Sequence, residues 1–341
     1  MRYPRDRRAR NGQRTIAVAT GGLPVVRSEK RLWRQSEIMK HLISLLNLTV
    51  DEVHEILKLS RDLKAGWKRG ERPALLQGRY LTQVFEKPSL RTRVSFDAAM
   101  AQLGGTGLFL PAQDAGLHGR ESLADVARVI SSYSDAVVLR TFSQKLIEDF
   151  ASFSKCPIIN GLSDDDHPCQ ALTDILTLQE VWGDVKGKRL VFVGDGNNVA
   201  NSLAMITSML GMSMTVCAPR DFELDEDLLQ AIRLSFPHSD ISQTSDPAAA
   251  VANADVVYTD VWASMGQESE ADKRNRIFAP YQVNTKLMSK APSGCLFMHD
   301  LPARRGKEVT DDVIDGPNSI VFQQAENRMH LAKGLLVWLL K

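Results

Sequence analysis

Six short stretches of this chain collect side chains able to bind an anion, polarise a carbonyl or hold an amine. Ser89, Arg91, Thr92 and Arg93 follow Phe85-Glu86-Lys87-Pro88, where a strand-like run gives way to a helical one. A helix N-terminus offers unpaired N–H groups and a positive dipole end, and hydroxyl and guanidinium donors add to it, so the package suits a phosphate. Asp166-His167-Pro168-Cys169-Gln170 opens the next long helical run. Proline in a first turn is ordinary capping, while His167 and Gln170 present hydrogen-bonding groups at the same kind of entrance.

Gly194-Asp195-Gly196-Asn197-Asn198-Val199 has the outline of a nucleotide fingerprint, but Val199 replaces the third glycine. The next strand-like run also ends in Cys217-Ala218-Pro219 rather than in an acid for a ribose. The two asparagines suit a polar small molecule better than a dinucleotide. Asp260-Val261-Trp262-Ala263-Ser264-Met265-Gly266-Gln267 follows another strand-like run and leads into the polar stretch 268–276, a candidate lid. Met298-His299-Asp300-Leu301-Pro302-Ala303-Arg304 is a further exit, and Glu326-Asn327-Arg328 stands on the approach to the last helix. Capping explains each stretch singly but not their joint order.

These stretches need a frame, and the pattern between them supplies it. YLTQVFE, DAVVLRTF, CPIINGL, KRLVFVGD, MSMTVCAP, ADVVYTDVW and CLFMHDLP read as buried strands. RVSFDAAMAQLG, ESLADVARVISSYS, PCQALTDILTLQEVWG and NVANSLAMITSMLG read as the helices between them. The alternation predicts an α/β fold with mainly parallel sheets, whose ligands gather at strand exits. A junction falls in residues 183–188, where a long helix ends in glycine and a new β-α unit begins. Thr49 is placed to cap an earlier helix bearing Val53, Ile56, Leu57 and Leu59 on one face.

The chain's 341 residues, 43% of them hydrophobic, suffice for two domains with separate cores. No run approaches the roughly 18 apolar residues that span a bilayer, so a membrane is excluded as partner. Cys156, Cys169, Cys217 and Cys295 lack metal-ligand spacing and read as reduced thiols of a cytoplasmic protein. The net charge of +1 hides an uneven distribution: residues 1–38 hold ten basic and three acidic side chains. That segment lacks the apolar core of a secretory signal and reads as a disordered basic extension, not a nucleic-acid arm; either Met39 is the functional start or the extension is dispensable.

From Met39 onward the sequence resembles the aspartate/ornithine carbamoyltransferase family, and within it the ornithine-specific members. FEKPSLRTRVSF is similar to the family's S-T-R-T-R phosphate loop, HPCQ to its H-P-x-Q, and DVWASMGQ to the D-x-W-x-S-M-G that separates ornithine from aspartate enzymes. HDLPARRG is an imperfect match to H-C-L-P, and AENRMH to the usual ending. The resemblance implies two doubly wound domains with the active site in the cleft between them: 39–181 for carbamoyl phosphate, 182–319 for ornithine, and 320–341 as a helix returning to the first. It implies transfer of a carbamoyl group to the δ-amine of L-ornithine, giving citrulline in arginine metabolism, without metal or organic cofactor, in a homotrimer or assembly of trimers.

The same resemblance assigns Ser89, Leu90, Arg91 and Thr92 to the phosphate, and Arg140, His167, Gln170 and Arg328 to the carbamoyl group, with Asp300 and Leu301 completing that set. Asn198, Asp260, Ser264 and Met265 fall to ornithine, and Arg91, Arg140, His167, Asp260 and Asp300 form the catalytic group. Leu90 replaces a family threonine, which removes a hydroxyl but keeps the N–H. Asp300 stands where ornithine members carry cysteine. A carboxylate there lies near Asp260 and either takes a proton from the amine or changes which amine is preferred. The competing readings are transfer to putrescine or an N-acylated ornithine, and a non-catalytic ligand-binding relative.

Overall fold

The computed structural model describes residues 39–341 apart from 118, 120 and 264–267. The basic extension and the proposed start at Met39 therefore concern residues outside, or at the edge of, the described chain. After Thr49, which caps with Glu52 in a reciprocal box, α1 (Val50–Lys68) buries Val53, Ile56 and Leu57. Four parallel strands follow, β1 (Tyr80–Phe85), β2 (Thr106–Pro111), β3 (Ala136–Arg140) and β4 (Ile158–Leu162), in the order β2-β1-β3-β4. Between them run α2 (Leu90–Gln102), α3 (Leu123–Tyr133) and α4 (Gln144–Phe153), and α5 (Pro168–Trp182) leaves the sheet.

The chain crosses residues 183–188 into a second parallel sheet. Its strands are β5 (Arg189–Val193), β6 (Ser213–Cys217), β7 (Asp240–Thr244), β8 (Val256–Thr259) and β9 (Leu296–His299), ordered β7-β6-β5-β8-β9. The helices are α6 (Asn198–Met209), α7 (Glu226–Ser235), α8 (Pro247–Val251), α9 (Ala271–Phe278), α10 (Thr285–Met288) and α11 (Asp311–Ile314). The last helix, α12 (Val321–Leu340), packs on α1, α2 and α5. Gly334 permits the α1 crossing, because a Cβ there would lie 2.6 Å from the Ser60 backbone nitrogen.

All seven strands read from the sequence are present. The two it missed, β2 and β7, are sheet edges with largely exposed or half-buried residues, so neither carries a buried-strand signature. The stretch 268–276, the candidate lid, holds a short 3-10 turn and most of α9. Glu326-Asn327-Arg328 also corrects its expected place, lying inside α12 instead of ahead of it.

Every residue of α5 from Pro168 to Leu178 is buried. One apolar cluster runs from Leu81, Phe85 and Val138 through Leu172, Ile175 and Leu176 to Phe192, Val216 and Tyr258. This continuity fixes the exits of β1, β3 and β4 relative to those of β5, β8 and β9. Both sheets reverse their strand order beside the first strand of each, β1 and β5, where open α/β sheets form a crevice.

Candidate active site

A cavity of about 800 Å³ lies at those exits. Ser89 caps α2, its hydroxyl accepting the Thr92 N–H at 3.3 Å, so the N–H groups of the first turn face the cavity end of the helix. Register sets the next element: Phe85 pairs with Arg140 across β1 and β3, so Arg140 emerges beside the start of this loop. Arg328 reaches in from α12, donating to Gln170 Oε1 at 3.1 Å and to Thr92 Oγ1 at 3.3 Å. Three guanidiniums thus converge, two of them, Arg140 and Arg328, buried.

Their mutual repulsion and burial shape the groups around them. Burial, and then the charges of Arg328 and Arg91, lower Arg140 to about 9, which leaves it cationic at neutral pH. His167, at the entrance of α5, is pushed well below its usual value by burial and by Arg328, Arg140 and Arg91. It is a neutral imidazole, positioned by its own N–H donating to Ser202 Oγ at 2.7 Å, and its Nδ1 has no protein partner. Buried polar atoms without partners are rare. Arg140 Nε is another.

The second sheet brings carboxyl groups. Thr259 pairs with His299 across β8 and β9, so the residues that follow, Asp260 and Asp300, leave the sheet side by side. Burial and the Asp300 charge raise Asp260 well above the carboxylate range. Asp300 is lowered despite burial, through His299 and the proton that Asp260 provides. Two buried carboxyls in contact cannot both ionise, so the pair holds one proton and one negative charge. Asn197 Nδ2 and the Val261 N–H donate to Asp260 at 2.7 and 2.6 Å.

Behind the pair stands His299, fully buried, 3.4 Å from Asp300 and 3.3 Å from Glu308. Burial lowers this imidazole, but the two carboxylates outweigh it and raise it to about 9. The donor atoms of Asp260, His299 and Asp300 lie within 4.8 Å of one another, close enough for a metal ion. Both imidazole nitrogens are engaged, however: Nδ1 faces Asp300 and Nε2 faces Glu308, and a ring that keeps its proton at neutral pH has no lone pair for a metal. The group is therefore an acid pair backed by a ring, not a ligand set. Leu301, in the turn that follows, takes φ +60.

Of the residues singled out from sequence, Ser89, Leu90, Arg91, Thr92, Arg140, His167, Gln170, Asn198, Asp260, Asp300, Leu301 and Arg328 line this one cavity. Ser264 and Met265 lie outside the described residues. Asn198 spends its Nδ2 on the Ser163 carbonyl at 2.6 Å, whereas Asn197, which sequence reasoning noticed but did not select, holds Asp260. Lys87, paired with Asp164, and Arg304 also line the cavity; both stand inside quoted stretches but were assigned no role there. Glu308 was invisible because nothing in its spacing from His299 marks it as a partner.

The glycines of the failed nucleotide fingerprint have a local explanation. Gly194 adopts φ +149, and a Cβ on Gly196 would lie 2.6 Å from the Glu223 backbone. They make a turn and a close chain approach. Next to them Asp195 pairs with Arg274 of α9, whose Nε donates to the Trp262 carbonyl, tying the start of the 260s loop to that turn.

Residues 40–180 match the description "Aspartate/ornithine carbamoyltransferase, carbamoyl-P binding domain", and residues 186–339 its "Asp/Orn binding domain". The chain belongs to the aspartate/ornithine carbamoyltransferase family. Among members of this family, the ornithine carbamoyltransferase of Pyrococcus abyssi is 48% identical over 303 residues, covering 88% of this chain and 96% of that protein. The anabolic enzyme of Pyrococcus furiosus is 48% identical over 299 residues, covering 87% and 95%. An ornithine carbamoyltransferase structure from P. furiosus superposes with a TM-score of 0.84 at 48% identity, over 87% of this chain and 96% of that one. The Thermus thermophilus structure gives 0.80 at 38% identity, over 88% and 99%. The two parallel sheets and their helices are the architecture of those carbamoyltransferases.

Proposed function

We propose that this chain transfers the carbamoyl group of carbamoyl phosphate to the δ-amine of L-ornithine, giving L-citrulline and phosphate in the synthesis of arginine. The observation that carries the reading is the polarity of the cavity. Guanidiniums supplied by the first sheet, α2 and α12 face a singly charged carboxyl pair supplied by the second sheet. An anionic donor and a cationic acceptor fit that arrangement together. The ornithine carbamoyltransferases among its relatives support the same substrates.

Ser89, Arg91 and Thr92, with the N–H of Leu90, take the phosphate, while Arg140, His167, Gln170 and Arg328 surround the carbamoyl group and Leu301 borders it. Asn198, Asp260, Ser264 and Met265 hold ornithine, and Asp300 shares the amine end with Asp260. An alkyl amine must give up one proton to solvent before it attacks, at a cost of about 5 kcal/mol at pH 7. The nitrogen then bonds to the carbonyl carbon, and Arg91, Arg140 and the neutral His167 stabilise the oxyanion that forms. As this intermediate collapses, the bond from carbon to the phosphate oxygen breaks and the departing phosphate takes the second nitrogen proton.

The division of labour follows the sheets: residues 39–181 bind carbamoyl phosphate, 182–319 bind ornithine, and 320–341 return Arg328 to the first. Val94, Leu108, Val129 and Tyr133 are exposed apolar residues of this first part and are candidates for the contacts of a homotrimer. Four buried free thiols suit the cytoplasm. The test is carbamoyl transfer to L-ornithine, putrescine, N-acetylornithine, N-succinylornithine, L-lysine and L-aspartate, with light scattering for the oligomer. Dominant citrulline formation supports the reading; preference for another amine overturns it while leaving the carbamoyl phosphate chemistry in place.

A further inference from the structure

Behind the cavity a buried carboxyl joins its two walls. Asp174 of α5 is fully buried, and its Oδ1 accepts Gln170 Nε2 at 2.7 Å and Gln324 Nε2 at 2.8 Å. Each amide has its other end committed. Gln170 Oε1 accepts Arg328 at 3.1 Å, on the guanidinium side. Gln324 Oε1 accepts the His299 N–H at 3.1 Å, one residue before Asp300, and its Nε2 also lies 3.0 Å from the hydroxyl of Tyr258, two residues before Asp260. The unbroken order is Arg328, Gln170, Asp174, Gln324 and the exit of β9. Because each amide oxygen already accepts from Arg328 or the His299 N–H, each can turn only its NH2 toward Asp174, which anchors both in that one orientation. Gln170 must then turn its oxygen toward Arg328, and Gln324 must turn its oxygen toward the strand that carries Asp300.

We infer that Asp174 and Gln324 are positioning residues that couple the two substrate subsites, so that an anion held by Arg328 and Gln170 tightens the binding of the amino acid at Asp260 and Asp300. Neither residue lines the cavity, so their effect passes through others. Coupling of this kind is a ratio of affinities and is reciprocal. The inference rests on the substrate assignment above.

The test pairs L-ornithine with phosphonoacetamide, in which a methylene replaces the bridging oxygen of carbamoyl phosphate so that no carbamoyl group can be transferred. The affinity of the full chain for ornithine is measured by calorimetry with and without the saturating analogue. The native chain should bind ornithine at least fivefold more tightly when the analogue is present. Gln324→Met, which fills the space without hydrogen-bonding both partners, should bring that ratio to within twofold of one, with ornithine affinity alone changed less than threefold. Asp174→Asn keeps an acceptor oxygen for both amides and should retain the native ratio. If Gln324→Met does not fold, Asp174→Ser makes the same break from α5 and is judged by the same ratio. A native ratio of one, or a ratio that survives the break, overturns the inference. Failure of the native chain to bind ornithine at all would instead strike the ornithine reading, which the amine panel tests separately.

Discussion

Asp260 and Asp300 lie side by side because Thr259 and His299 are register partners in β8 and β9, and the next residue of each strand is an aspartate. The pair holds a single proton and so presents one negative charge. An aspartate beside a neutral thiol would present the same charge. On the proposed reading, Asp300, where the sequence resemblance places a cysteine, therefore changes the shape of the amine end without changing its net charge.

Asp300→Cys should accordingly keep kcat for ornithine within about tenfold of the native chain, since each tenfold corresponds to about 1.4 kcal/mol of barrier. Steady-state kinetics at neutral pH decide it. A fall of a thousandfold would show that Asp300 itself removes the amine's proton.

His167 is neutral and sits among three cationic guanidiniums, so it donates without adding to their repulsion. Replacing it with Ala removes one oxyanion donor and should lower kcat by roughly 10²- to 10³-fold. The KM for carbamoyl phosphate should change much less. A rise in KM with kcat intact would assign His167 to ground-state binding instead.

The sequence revealed the residues lining the cavity more readily than those that support them. Ser89 to Thr92, His167 and Gln170 announce themselves because helix entrances concentrate short motifs, and the register of β8 and β9 then turns two separate strand exits into one acid pair. Asp174, Gln324 and Glu308 are ordinary residues in their local context. Their roles arise from side chains brought together across more than one element, such as the 150-residue separation between Gln324 and Asp174. The edge strands β2 and β7 escaped for a different reason: with few fully buried positions they lack the apolar run that marks β3 or β5. Asn197 was within reach, since it adjoins the asparagine selected, but adjacency alone does not tell which of two capping residues faces Asp260.

Asp174 also makes stability depend on pH. Burial raises it from 3.8 to about 7, against the hydrogen bonds from Gln170 and Gln324. A carboxyl raised on folding binds its proton more tightly in the folded chain, so its contribution is full below about pH 4 and is lost as pH rises through about 7. The loss is on the order of 4 kcal/mol. Asp174→Asn keeps the acceptor but cannot ionise, so it should melt higher than the native chain at pH 8, and that advantage should vanish near pH 4. Melting curves across this range check the sign. An advantage independent of pH would contradict it.

Carbamoyl phosphate labelled with carbon-13, supplied together with L-ornithine and followed by NMR, tests the central claim most directly. The label should appear in the ureido carbon bonded to the δ-nitrogen of citrulline, with one phosphate released for each citrulline formed. Release of phosphate while the label passes to cyanate or bicarbonate, with no citrulline, would contradict it.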